Sequence, residues 1–144
     1  MTSAGPENEG ETPRIYALRF SPRARAEVRA VHARFIELAG EIVADAWRDG
    51  LGETVSSLAT HPRRYAQVFG PRGARFRREV RRLVYRRPGG GNRTGPAYLV
   101  LYAVEDDTPD GPLLSILSVR HAARKPLTRE EARAIEAGQD DPNP

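Results

Sequence analysis

The stretch that decides the fold runs Ile15-Tyr16-Ala17-Leu18-Arg19-Phe20-Ser21-Pro22 and on through Arg23-Ala24-Arg25-Ala26-Glu27-Val28 to Leu38. Ile15 to Phe20 have the apolar and aromatic make-up of a short strand. Ser21 then offers a side-chain oxygen to cap a helix, and Pro22 has its φ already set for a first helical position. Apolar residues follow at Ala24, Val28, Val31, Phe35 and Leu38, in steps of four and three, which is one stripe of an amphipathic helix. The charged Arg25, Glu27, Arg29, Arg34 and Glu37 are expected on the opposite face.

Outward from there, Gly40 breaks the first helix and a second stripe runs Val43, Trp47, Leu51, Val55 and Leu58. Gly50 and Gly52 cost this helix about 1 kcal/mol each relative to Ala, so tertiary packing must hold it. His61-Pro62 ends it, and two helices so tightly joined predict an antiparallel hairpin. Residues 63–76 read as an irregular connection. Val80 to Tyr85 reads as a strand with Arg81 and Arg82 inside it, and residues 86–96 as a Gly-rich turn. Ala97 to Val104 is continuously apolar, which predicts a central strand buried on both faces. Residues 105–112 (EDDTPDGP) form a turn cluster, and Leu113 to Val119 reads as a strand leading into Arg120 and His121. Thr128 to Glu131 matches a capping box, with a last helix to about Ala137.

The order β-α-α-β-β-β-α predicts an α+β fold. A four-stranded, mainly antiparallel sheet is covered on one face by the N-terminal helical hairpin, since nothing else carries enough apolar surface. Residues 1–14 and 138–144 lack periodicity and are expected to be disordered tails flanking one domain at 15–137.

Net charge is +4, from 22 Arg, one Lys and 19 acids, and it is unevenly spread. Residues 63–93 hold eleven Arg against Glu79 alone, a net +10, between flanks of −2 and −4. A genome that favours Arg over Lys does not explain that concentration. The absence of Cys excludes a disulfide scaffold, a zinc finger, an iron–sulfur site and a thiol nucleophile. No apolar run reaches the length of about 20 residues that a transmembrane helix needs. The polar, acidic first thirteen residues resemble neither a signal nor a transit peptide, so the expectation is a soluble cytoplasmic protein. Gly89-Gly90-Gly91 is followed by no helix and no Lys-Ser/Thr, so it is not a phosphate-binding P-loop. No metal or other cofactor is expected.

In the residues Tyr16-Ala17-Leu18-Arg19-Phe20-Ser21-Pro22, Leu58 to Pro62, Glu79 to Tyr85, Tyr98 to Tyr102 and Val119-Arg120-His121-Ala122-Ala123-Arg124, the chain resembles the RelE/ParE family of type II toxins. Its ending is more similar to the ParE-like, plasmid-stabilisation branch. The resemblance implies a growth-arresting toxin neutralised by a cognate antitoxin. ParE-like members poison DNA gyrase, whereas RelE-like members cut messenger RNA on the ribosome. A degenerate member that only binds RNA or a partner is a third possibility.

Metal-free RNA cleavage needs a base near the 2′-OH, a donor for the leaving oxygen and cations for the phosphorane. His121 and Arg120 at the end of the last strand, with Arg81, are the catalytic candidates. Imidazole suits proton transfer near neutral pH, and the resemblance implies a catalytic His or Tyr in this region. Arg75, Arg77, Arg78, Arg82 and Arg124 are candidates for holding nucleic acid or another target, with Tyr85 as a stacking residue beside Tyr98 and Tyr102. Alternation puts Arg81 with Leu83 and Tyr85 on one face, and Arg82 with Val80 and Val84 on the other. Leu99 stands where RelE-like nucleases often carry Arg, which tilts the expectation toward the non-hydrolytic branch. Trp47 is expected in the core, and His32 and His61 in structural roles.

Overall fold

The computed structural model describes residues 15–68, 76–89, 92–124 and 127–137. Both expected tails lie outside these residues, as do Arg75, residues 69–74 of the connection and the tip at residues 90–91. The chain runs β1 (Ala17–Phe20), α1 (Pro22–Ala39), α2 (Glu41–Ser56) with a 3₁₀ turn Ser57–Ala59, β2 (Val80–Gly89), β3 (Asn92–Thr108), β4 (Gly111–His121) and α3 (Arg129–Ala137). One four-stranded sheet has the order β1-β4-β3-β2. β2, β3 and β4 pair antiparallel, and β1 joins β4 in parallel. The α+β architecture and the element order are those the sequence predicts.

Ser21 does more than cap. Its hydroxyl accepts the Ala24 amide at 3.0 Å and donates to the Leu117 carbonyl at 3.2 Å. Its own amide donates to Ile116. One residue therefore ends β1, starts α1 and anchors both to β4. Gly40, at φ 91°, sits in a left-handed region that other residues avoid, and separates the helices. His32 contacts Asp45 at 2.8 Å across the hairpin, a structural role. α2 runs unbroken past Gly50 and Gly52 because Trp47, Leu51 and Val55 on its stripe are fully buried.

The hairpin packs on one sheet face against Leu83, Tyr85, Val100, Tyr102, Leu114 and Ile116. The other face is not bare. Phe76, Val80, Leu101, Ala103 and Leu117 form a second, smaller core under Ala132 and Ile135 of α3. The central apolar strand is thus buried on both sides, as its lack of alternation requires. α3 begins with the expected capping box: the Thr128 hydroxyl accepts the Glu131 amide at 3.0 Å, and the Glu131 carboxylate accepts the Thr128 amide at 3.1 Å.

Four expectations need correcting. Residues 86–96, read as a turn, are strand up to Gly89 in β2 and from Asn92 in β3. The acidic cluster at residues 105–112 is mostly strand. β3 continues to Thr108 and β4 starts at Gly111, leaving a two-residue loop at Pro109-Asp110. Gly111 at φ 96° and hydrogen bonds through the Thr108 hydroxyl close that hairpin. The first helical stripe stops at Phe35, and Leu38 is 74% exposed. Glu27, expected on the solvent face, has a side chain only 14% exposed.

Candidate functional site

A groove of about 800 Å³ lies between α1 and the adjoining ends of β3 and β4. It is built by a small irregularity. Tyr102 pairs with Ile116 and Leu101 with Ser118, so Leu117 is an extra residue in β4, a β-bulge. Before the bulge Leu114 and Ile116 face the helical hairpin. After it, Val119 and His121 do so. The bulge therefore exchanges the two sets of side chains and turns His121 toward the groove.

The apolar walls are Val31, Phe35, Leu38, Pro96 and Tyr98. Phe35 and Tyr98 meet the buried Trp47 in tilted and edge-on contacts, with Trp47 and Tyr98 centroids 5.3 Å apart, and the His121 ring meets Tyr98 edge-on at 5.2 Å. The polar lining is Glu27, Arg34, Glu37, Arg120, His121 and Arg124. This is a cationic, half-apolar cleft.

Two of the polar groups, His121 and Glu27, are held by hydrogen bonds. The Ala123 amide donates to His121 Nδ1 at 3.0 Å. The neutral ring must then carry its proton on Nε2, so it presents an N–H donor. Glu27 Oε1 accepts from the Val119 amide at 2.8 Å and the Ser118 hydroxyl at 2.9 Å. β1 covers the edge of β4 only from Leu113 to Ile116, and the Glu27 carboxylate takes over as acceptor beyond it. Burial pushes the Glu27 carboxyl above its usual range, against these hydrogen bonds and the nearby charges of Arg23 and Arg124. Burial, then Arg124, likewise lowers the pKa of Arg120, which is only 6% exposed.

The residues singled out in the sequence are thereby sorted. His121, Arg120 and Arg124 share the groove. Arg81 lies elsewhere: it pairs with Glu79 at 2.6 Å and donates to the Tyr65 carbonyl at 2.7 Å. Arg78 is drawn to Glu136 of α3, donating to its carboxylate and backbone carbonyl, and lies 3.7 Å from Glu105. Arg82 and Arg77 are exposed outside the groove. Tyr85 is 1% exposed and donates its hydroxyl to the Trp47 carbonyl at 2.8 Å. Tyr102 is also buried, its hydroxyl on the Pro62 carbonyl. The +10 window is thus spread over several surfaces and partly neutralised.

Sequence reasoning missed Glu27, Arg34 and Arg23. Arg23 is 6% exposed, lies 3.8 Å from Glu27, and has Nε and Nη1 without a hydrogen-bond partner. A signal was present for Glu27. It falls three residues after Ala24 and four before Val31, on the flank of the apolar stripe rather than opposite it. Among the described residues no group of His, Asp and Glu is arranged to hold a metal ion, and no helix is long and apolar enough to cross a membrane.

No curated protein matches the chain. A family model described as "ParE toxin of type II toxin-antitoxin system, parDE" matches residues 18–126, from β1 through the groove-lining end of β4 and beyond it to Pro126. With the β-α-α-β-β-β-α order and the mixed sheet already in place, the chain belongs to the ParE toxin family of type II toxin–antitoxin systems.

Proposed function

We propose that this toxin arrests growth without hydrolysis, by seating part of a nucleic-acid machine such as DNA gyrase on its cationic groove in the cytoplasm. The observation that carries this reading is the donor character of the groove. His121 Nδ1 is occupied by the Ala123 amide and Glu27 Oε1 by two donors. Arg34, Arg124 and the His121 Nε2–H are suited to binding acceptors rather than to taking a proton from a 2′-OH. The cognate antitoxin, in this reading, lays an acidic amphipathic segment into the same groove. Its apolar side would meet Phe35 and Leu38, and its carboxylates Arg34 and Arg124. Plasmid stabilisation would follow from the toxin outlasting the antitoxin.

Purified protein added to gyrase should inhibit supercoiling, and induced cells should show DNA damage with intact messenger RNA. Unimpaired supercoiling at saturating toxin would sink the proposal. The convergence of Arg120, Arg124, His121 and Glu27 gives the second reading, metal-free messenger RNA cleavage on the ribosome, its one structural support. In that case His121→Ala or Arg120→Ala should abolish codon-specific cuts in RNA profiles of induced cells. Absence of growth arrest on induction would instead identify a degenerate member that only binds RNA or a partner.

A further inference from the structure

The outward face of α1 carries its charges in an order that does nothing for the helix itself. Arg25 stands in the first turn, Arg29 one turn on and Glu37 in the last turn, with no acid in the first turn and no base in the last. The helix dipole is stabilised by the reverse arrangement. Arg25 and Arg29 are also like charges four residues apart, which repel on a helix surface. All four of Arg25, Arg29, Glu37 and Glu41 are exposed, and none takes part in an ion pair among the described residues. Between the two signs the face is apolar. Ala30 and Ala33 are exposed, Ile36 is 39% exposed, and Ile42, just past the Gly40 turn, is 86% exposed. A bipolar face with an apolar middle, at odds with its own helix, is suited to a complementary face.

The spacing selects the occupant, because the face is complementary to itself. Arg29 and Glu37 lie four residues before and after Ala33, and Arg25 and Glu41 lie eight before and after it. A second copy of α1 crossing antiparallel at Ala33 sets its Glu37 level with Arg29 and brings its Glu41 toward Arg25. Two-fold symmetry then forms each pair twice. A parallel copy would set like charges level with one another. The small side chain of Ala33 at the crossing lets the two helices approach closely. We infer that two copies of this chain associate through α1, antiparallel about Ala33, with Arg29–Glu37 and Arg25–Glu41 pairs across the two-fold axis. One helix face is smaller than the roughly 800 Å² per partner of a standard interface, so the dimer forms with a Kd of about 10–100 μM. Ala30, Ala33 and Glu37 also line the groove, so the second copy stands on its rim. The inference does not depend on the target assigned to that groove.

Sedimentation equilibrium of the full chain, from about 1 μM to 1 mM, tests this. The expected result is a monomer–dimer equilibrium that weakens as salt is added. Arg29→Glu and Glu37→Arg each place like charges together twice, and each should weaken self-association at least about tenfold. An equimolar mixture of the two variants re-forms both 29–37 pairs in a heterodimer, so it should recover about the original affinity. Ala33→Arg puts two like charges at the crossing point and should abolish the dimer. These side chains are exposed, so the variants should keep the parent's amide spectrum and thermal midpoint. A chain that stays monomeric throughout overturns the inference, whether or not the same variants impair capture of a co-expressed antitoxin. So does a dimer that neither charge reversal weakens, or a mixture that recovers nothing.

Discussion

Glu27 and Glu79 show how one residue type takes opposite roles within one fold. Burial dominates at Glu27 and raises its pKa. At Glu79 burial also pushes upward, but hydrogen bonds and charge from Arg63 and Arg81 outweigh it and the pKa falls. The consequences for stability are opposite in sign. A carboxyl whose folded pKa is raised favours the native state when protonated, and that contribution is lost as pH rises from the unfolded value through the folded one. Glu79 contributes above its unfolded value and loses that contribution as pH falls through its lowered one. Glu79→Gln should therefore cost about 1–2 kcal/mol at neutral pH and remove part of the acid-side loss. Glu27→Gln should flatten the decline as pH rises above about 4.5. Urea unfolding midpoints taken below and above the ordinary carboxylate pKa check both. Tyr85→Phe, which deletes the hydroxyl bond to the Trp47 carbonyl, should cost about 1 kcal/mol in the same assay.

At the level of elements, α3 is held by a capping box, two apolar side chains and the Arg78 contacts to Glu136. Thr128→Ala should cost about 1 kcal/mol locally. Hydrogen exchange should then show faster opening of α3 amides while β3 and β4 keep their protection. That capping box was readable in the sequence because both partners lie within four residues. The same holds for the Ser-Pro entry to α1 and for the buried stripe of α2. Less was legible where partners are remote. Nothing local to Arg78 says that Glu136 will take it, or that Asp106 will join Arg63. The β-bulge at Leu117 carries no Gly and no turn residue, so strict alternation was the natural expectation and the orientation of His121 could not be read. The hairpin at Pro109-Asp110 was misjudged because acids are poor strand formers. Yet Glu105 pairs in register and Asp106 is fixed by Arg63 and by the Tyr16 hydroxyl.

On the scale of the whole molecule, the Arg-rich window is stitched to its own Glu79 and to acids of the C-terminal flank. Arg63 binds Glu79 and Asp106, and Arg78 binds Glu136. The excess positive charge is therefore distributed, and the groove owes its character to Arg34, Arg120 and Arg124, all outside that window. A substitution in the groove wall should separate function from stability. Leu38→Asp, at a side chain already in solvent, should change stability by less than about 0.5 kcal/mol. Under the proposed function it should nevertheless reduce capture of the cognate antitoxin, measured by co-purification of the co-expressed pair.

The parallel pairing of β1 with β4 has one more consequence, for the time at which the protein becomes active. Among the described residues β1 has no neighbour in the sheet except β4, and the Ser21 hydroxyl bonds a carbonyl 96 residues further along the chain. A nascent chain on the ribosome therefore cannot complete the sheet or assemble the groove until β4 has been synthesised and has cleared the exit tunnel. Such remote contacts also slow folding relative to a chain held by local contacts. For a family whose toxins are paired with antitoxins, that delay is a grace period: an antitoxin with a shorter folding path can be waiting when the groove first forms.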